Sequence, residues 1–242
     1  MTPLRALRRV LADVAALAPR GDVTWFLLLA ALVLQVAFWY LATPGPSVLG
    51  AAGHDPSTAF TTVAWTVLTL FLVPMALMRW VGIRPADAGL GVGNARFGLA
   101  AVAALAILAV PVVLVASGDA SLQASYPWAG AWPGGRWATL AAWALTYALY
   151  YVSFEFFYRG FVMRIVGAPW GAGAAMWLQV VMSTMVHLGK PLPETLAAAP
   201  ASLVFGVLAM RSRSVLYPAA VHWIIGLTLD VAILYRLGLL LP

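Results

Sequence analysis

Long apolar runs broken by short polar intervals dominate the chain. Residues 25–42, 59–80, 97–116, 137–164, 169–187, 194–210 and 214–235 each read as one hydrophobic helix. Runs of about 20 apolar residues match a hydrocarbon layer of about 30 Å, and inside that layer a lone segment must satisfy its own backbone. The pattern predicts an all-α, polytopic transmembrane helical bundle of about seven spans. The punctuation agrees. A Thr-Pro-Gly-Pro turn at 43–46 ends the first run, Pro74 predicts a kink in the second, and Gly189, Lys190 and Pro191 break the fifth. Residues 117–135 read as a loop whose Tyr126, Trp128 and Trp132 suit a membrane interface.

Ahead of the first run, Leu4, Leu7, Leu11, Val14 and Leu17 recur at helical spacing, with Arg5, Arg8, Arg9 and Arg20 between and beyond them. Residues 1–24 therefore predict a basic amphipathic helix on the cytoplasmic surface or a solvated positive tail. The first apolar run exceeds a signal-peptide core of about 7–15 residues, so the small residues at 50–52 do not make a cleavage site and the run reads as an uncleaved anchor.

Composition narrows the function classes. Of 242 residues, 63% are hydrophobic and 9% charged, against about 25% charged in soluble domains, and mean hydropathy is +0.92. Without cysteine, disulfides, thiolate metal sites and cysteine nucleophiles are excluded. The net charge of +6 carries no nucleic-acid motif. It sets orientation instead. With seven spans and a cytoplasmic N-terminus, all of the 14 Lys and Arg residues except Arg136, Lys190 and Arg236 fall on the cytoplasmic side.

Against this apolar background the ionisable residues stand out. Glu155 and Arg159 are one helical turn apart on one face. His187 and His222 lie in two further apolar runs, and Asp230 follows His222 by about two turns. An ionisable group inside a membrane faces the protein interior and has a partner. For Glu155 two readings stay open: a buried general base that activates water, or a brace made with Arg159. Together Glu155, His187 and His222 supply the donors that hold a water and stabilise an oxyanion, or the ligand set of a divalent metal such as zinc. Asp230 is placed to orient a histidine or a water. Lys190 and Glu194, again one turn apart, read as a cap on the sixth helix or as the mouth of the site. His54 reads as solvated. One difficulty is depth: at about 1.5 Å per residue, His187 lies roughly 25 Å from the cytoplasmic end of its run, Glu155 roughly 15 Å and His222 roughly 12 Å.

These residues carry a resemblance. Phe-Glu-Phe-Phe-Tyr-Arg-Gly at 154–160 is similar to the first motif of the CPBP family of CAAX-processing and bacteriocin-processing membrane proteins. Ser-Thr-Met-Val-His at 183–187 is similar to the second, and a third begins at His222. The chain departs from the pattern where Phe154 replaces the first of two glutamates and Gly226 ends the third motif. The resemblance spans about residues 137–235. The apolar runs ahead of it make three N-terminal helices over 25–136, and the resemblance implies a four-helix catalytic core over 137–242. It further implies an intramembrane endopeptidase of the bacterial inner membrane that cleaves a membrane-anchored protein or peptide. Glu155 would activate water, with or without a metal, and His187 and His222 would hold it. The Phe154 departure favours the alternative, an inactive scaffold or immunity protein that binds a hydrophobic peptide. A small transporter would need a continuous polar path and internal repeats, and neither is visible.

Overall fold

In the computed structural model, residues 3–17, 23–42 and 54–240 are described. Among them the chain is helical and contains no strand. The helices are α1 Pro3–Leu17, α2 Val23–Ala42, α3 Pro56–Trp80, α4 Ala95–Ala116, α5 Ala120–Ser125, α6 Trp137–Val166, α7 Gly171–Met185, α8 Leu192–Ser212 and α9 Leu216–Arg236. The turn expected at 43–46 and the small residues at 50–52 lie outside the described residues.

Among the described residues, five helices can cross a membrane by length and apolarity: α2, α3, α4, α8 and α9. The bent pair α6–α7 counts as a sixth. This is fewer than the seven expected, and the difference lies in α7. Its 15 residues reach only about 23 Å, short of the hydrocarbon thickness. One end of the bundle, where Arg164 and Arg213 lie, is closed by contacts between its loops. There Asn94 N–H donates to the Ser212 carbonyl at 2.7 Å, Val215 N–H to Gly89 at 2.9 Å, and the Arg164 guanidinium to the Ala209 carbonyl at 2.6 Å. Gly93, at φ +56°, makes this closure possible, since a Cβ there would lie 2.1 Å from the Ser212 carbonyl oxygen.

Local chemistry sets the helix ends. The Asp55 carboxylate accepts from Thr58 N–H at 3.0 Å and from its hydroxyl at 2.9 Å, and Pro56 occupies the first turn. Pro74 does not break α3. A π-helical turn at Leu68–Leu72 precedes it, and the helix runs on to Trp80. Asn94 caps α4 through Phe97 N–H at 3.1 Å.

The expected 117–135 loop contains the six-residue α5, capped by Asp119. Its aromatic residues are not interface anchors as a group. Tyr126 and Trp128 are buried, at 7% and 4% exposure, Tyr126 stacked on Trp128 and Trp128 against Tyr147 and Tyr150 of α6. His54 is exposed and its ring nitrogen meets the Pro127 carbonyl at 3.1 Å. In α1, the apolar side chains of Leu4, Leu7 and Val10 are exposed beside Arg5, Arg8 and Arg9.

Burial divides the bundle. In the apolar window of α4 no residue is buried inside the protein, whereas 44% of the α9 window is. The core is built on α6, where Trp143, Tyr147, Tyr150, Tyr151, Phe154 and Tyr158 recur at spacings of three and four and all are buried.

Candidate active site

Glu155 ends the α-helical part of α6. From Phe156 to Val166 the helix is a π-helix, a rare form that appears most often at functional sites. The turn Pro85–Ala88 docks on it. Gly160 permits this, because a Cβ there would stand 2.6 Å from the Ala88 carbonyl oxygen. Glu155 and Arg159 are almost fully buried, at 0% and 1% side-chain exposure, with Oε2 and Nε 3.1 Å apart. The charges are paired by distance, but the N–H is poorly aligned, and Arg159 Nη1 is buried without a hydrogen-bond partner. The other oxygen, Oε1, lies 2.7 Å from His222 Nδ1 of α9. An ionised carboxylate only accepts, so Nδ1 carries the proton. The His222 ring is clamped between Tyr151 at 4.4 Å, Phe205 at 5.3 Å and Phe154 at 5.4 Å.

His187 also packs on Phe154, ring to ring at 5.9 Å. The depth difficulty disappears because α7 ends at Met185 and His187 sits in the turn beyond it, so the chain has folded back toward Glu155. His187 Nδ1 donates to the Ser183 carbonyl at 2.7 Å. Ser183 is tied to α8 by its hydroxyl, 2.7 Å from that of Ser202. Beside His187, Glu194 Oε1 takes the Lys190 ammonium at 2.8 Å, and Oε2 takes the Tyr126 hydroxyl at 2.7 Å. Burial, and next the Glu194 charge, hold the Tyr126 phenol well above its ordinary pKa, so it stays a donor. Lys190 also lies over the Trp128 ring at 5.4 Å. A small cleft adjoins this half, walled by Phe38 and Ala42 of α2, Trp128, Tyr150, Phe154 and Lys190.

The structure thus brings Glu155, Arg159 and His222 into one cluster, and His187, Lys190 and Glu194 into another, with the Phe154 ring between. Lys190 and Glu194 are not merely a helix cap, since Glu194 faces His187, with Oε1 4.0 Å from Nε2. Asp230 orients neither histidine. It accepts from Trp143 Nε1 at 2.7 Å, and its other oxygen is buried without a hydrogen-bond partner. The ligand set that the sequence offers for zinc does not assemble: among the described residues no three His, Asp or Glu side chains gather closely enough to hold a metal. Two contributors went unread in the sequence. Tyr126 comes from a distant loop and carries no local signal. Tyr151 stands one turn before Glu155, and that spacing was visible. Its hydroxyl fills the space at Gly226, where a Cβ would lie 1.9 Å from it.

Residues 135–228 match the family described as Rce1-like, type II CAAX prenyl endopeptidase. The match takes in α6 to the middle of α9, including both clusters. No curated protein and no solved structure matches the chain.

Proposed function

We propose that this multi-pass membrane protein, whose residues 135–228 match the Rce1-like CAAX prenyl endopeptidase family, is an intramembrane endopeptidase acting on a membrane-anchored protein or peptide. The observation that carries the reading is the Glu155–His222 bond, 2.7 Å long, in the interior of an apolar bundle. Glu155 is not itself the group that takes the proton of water, because Oε1 faces His222, Oε2 faces Arg159 and the side chain is fully buried. It fixes the ring and balances charge. Held through Nδ1 by this carboxylate, the His222 ring is aimed at the tetrahedral intermediate, whose oxyanion it stabilises. His187, with Nδ1 committed to Ser183, turns Nε2 to the water. Arg159 pairs with the other oxygen of Glu155. The ligand geometry supports no step through a metal. The end that holds Arg164 and Arg213 lies in the cytoplasm and the protein in a bacterial inner membrane.

Comparative proteomics of a Glu155→Gln strain and its parent tests this reading. The variant membranes should accumulate an unprocessed membrane protein or peptide. Identical membrane peptidomes would remove the protease reading. The second reading, a scaffold that binds a hydrophobic peptide without cutting it, is favoured by one observation: the Phe154 ring stands between the histidines. It predicts that purified protein retains such a peptide intact.

A further inference from the structure

The proposed function leaves open which group receives the proton of water, and the second cluster supplies a candidate. The Ser183 carbonyl can only accept, so His187 Nδ1 must carry the ring proton, and Nε2 of the neutral ring is a bare acceptor. It faces Glu194 Oε1 at 4.0 Å. Two acceptors at that separation cannot bond each other, and Lys190, at 2.8 Å, already supplies the cation that Glu194 needs. A molecule with two protons to give satisfies both. A water about 2.8 Å from each atom sees them roughly 90° apart, close enough for both O–H bonds to donate with little bending, and keeps its lone pairs free.

The seat is rigid. The Thr195 hydroxyl holds the His187 carbonyl at 2.7 Å, Ser183 and Ser202 pin α7 to α8, and Tyr126 holds the far oxygen of Glu194 at 2.7 Å. The seat stands beside Lys190, which also walls the cleft. We infer that Glu194 and His187 hold the hydrolytic water between them and that Glu194 is its general base.

In that step one water proton passes to Glu194 Oε1, and the water oxygen bonds to the scissile carbonyl carbon. When the carbon–nitrogen bond breaks, Glu194 returns the proton to the leaving nitrogen, and the products are a carboxylic acid and an amine. Lys190 and Tyr126 are positioning residues that aim the carboxylate. This inference rests on the protease reading for its chemistry, but not for the seat.

Two experiments separate them. An experimental structure of the detergent-purified wild-type protein, at a resolution that shows ordered solvent, should place a water within hydrogen-bond distance of both His187 Nε2 and Glu194. A direct Nε2–Glu194 contact, or no shared water, overturns the seat. Turnover is read in proteoliposomes with two probes, a farnesylated peptide ending in Cys-aliphatic-aliphatic-X and an unprenylated single-span peptide. Glu194→Gln should lower kcat at least 100-fold on whichever probe is cut, with KM within about twofold and an unchanged melting temperature. Tyr126→Phe should lower kcat less than tenfold. If Glu194→Gln unfolds, Glu194→Asp, which keeps the charge but withdraws it, should show the same kcat loss in folded protein. Cleavage at the wild-type rate by Glu194→Gln overturns the base assignment and leaves the protease reading standing. If the wild type cuts neither probe and its membranes hold no processed substrate, the protease reading falls, and the solvent map alone decides the seat.

Discussion

Two clusters flank Phe154, and they differ in how each carboxylate is held. Glu155 is fully buried, and its partners come from its own helix and from α9. Glu194 is 21% exposed, stands beside a cleft, and shares its charge with an ammonium, a phenol and a nearby histidine. The first arrangement fixes a charge where water does not reach. The second keeps one that is partly accessible. Stability should therefore depend most on the Glu155–Arg159 pair, and activation of water on the second cluster.

The largest effect expected from this contrast is that of Arg159→Ala. Removing one member of a buried pair strands the other, so the variant should lose about 4 kcal/mol by chemical denaturation in detergent. An unchanged midpoint would mean that Glu155 does not depend on Arg159. Phe154→Ala should cost about 3 kcal/mol, as for other buried aromatic deletions. It also removes the ring separating the histidines, and a retained stability would show that the two halves do not pack through it. Gly226→Ala forces the Tyr151 hydroxyl out of the space it fills. Such overpacking costs about 1–3 kcal/mol, and because Tyr151 stacks on His222 the histidine ring resonances should shift with it. Lys190→Ala is the small member of the series, at under about 1 kcal/mol, because a partly exposed i,i+4 pair contributes little. A loss as large as that of Arg159→Ala would erase the distinction between the clusters.

How much of this was legible in the sequence depends on how local each cause is. The apolar runs gave the all-helical bundle, since spans are set by their own composition. The Glu155–Arg159 pair followed from spacing alone. The number of spans did not, because α7 stops at Met185 and the following turn completes the approach to Phe154. The π-helix was invisible too: it coincides with the docking of Ala88 against Gly160, a contact between distant segments. Glu194 looked like a cap because Lys190 is its sequence neighbour. Its other contacts, Tyr126 and His187, are made by a loop 68 residues away and by a turn that only the fold places beside it. Asp230 was read toward the histidines by periodicity, while Trp143, 87 residues earlier, holds it.

The central claim is that the residues on both sides of Phe154 form one hydrolytic site, and kinetics of His187→Ala, His222→Ala and the double variant in proteoliposomes test it most directly. Residues that act as a unit are grossly non-additive. The account predicts that each single variant abolishes cleavage of the farnesylated or single-span peptide while remaining folded, and that the double variant is no worse than either. Residual rates that multiply in the double variant and track the amount of folded protein would contradict it.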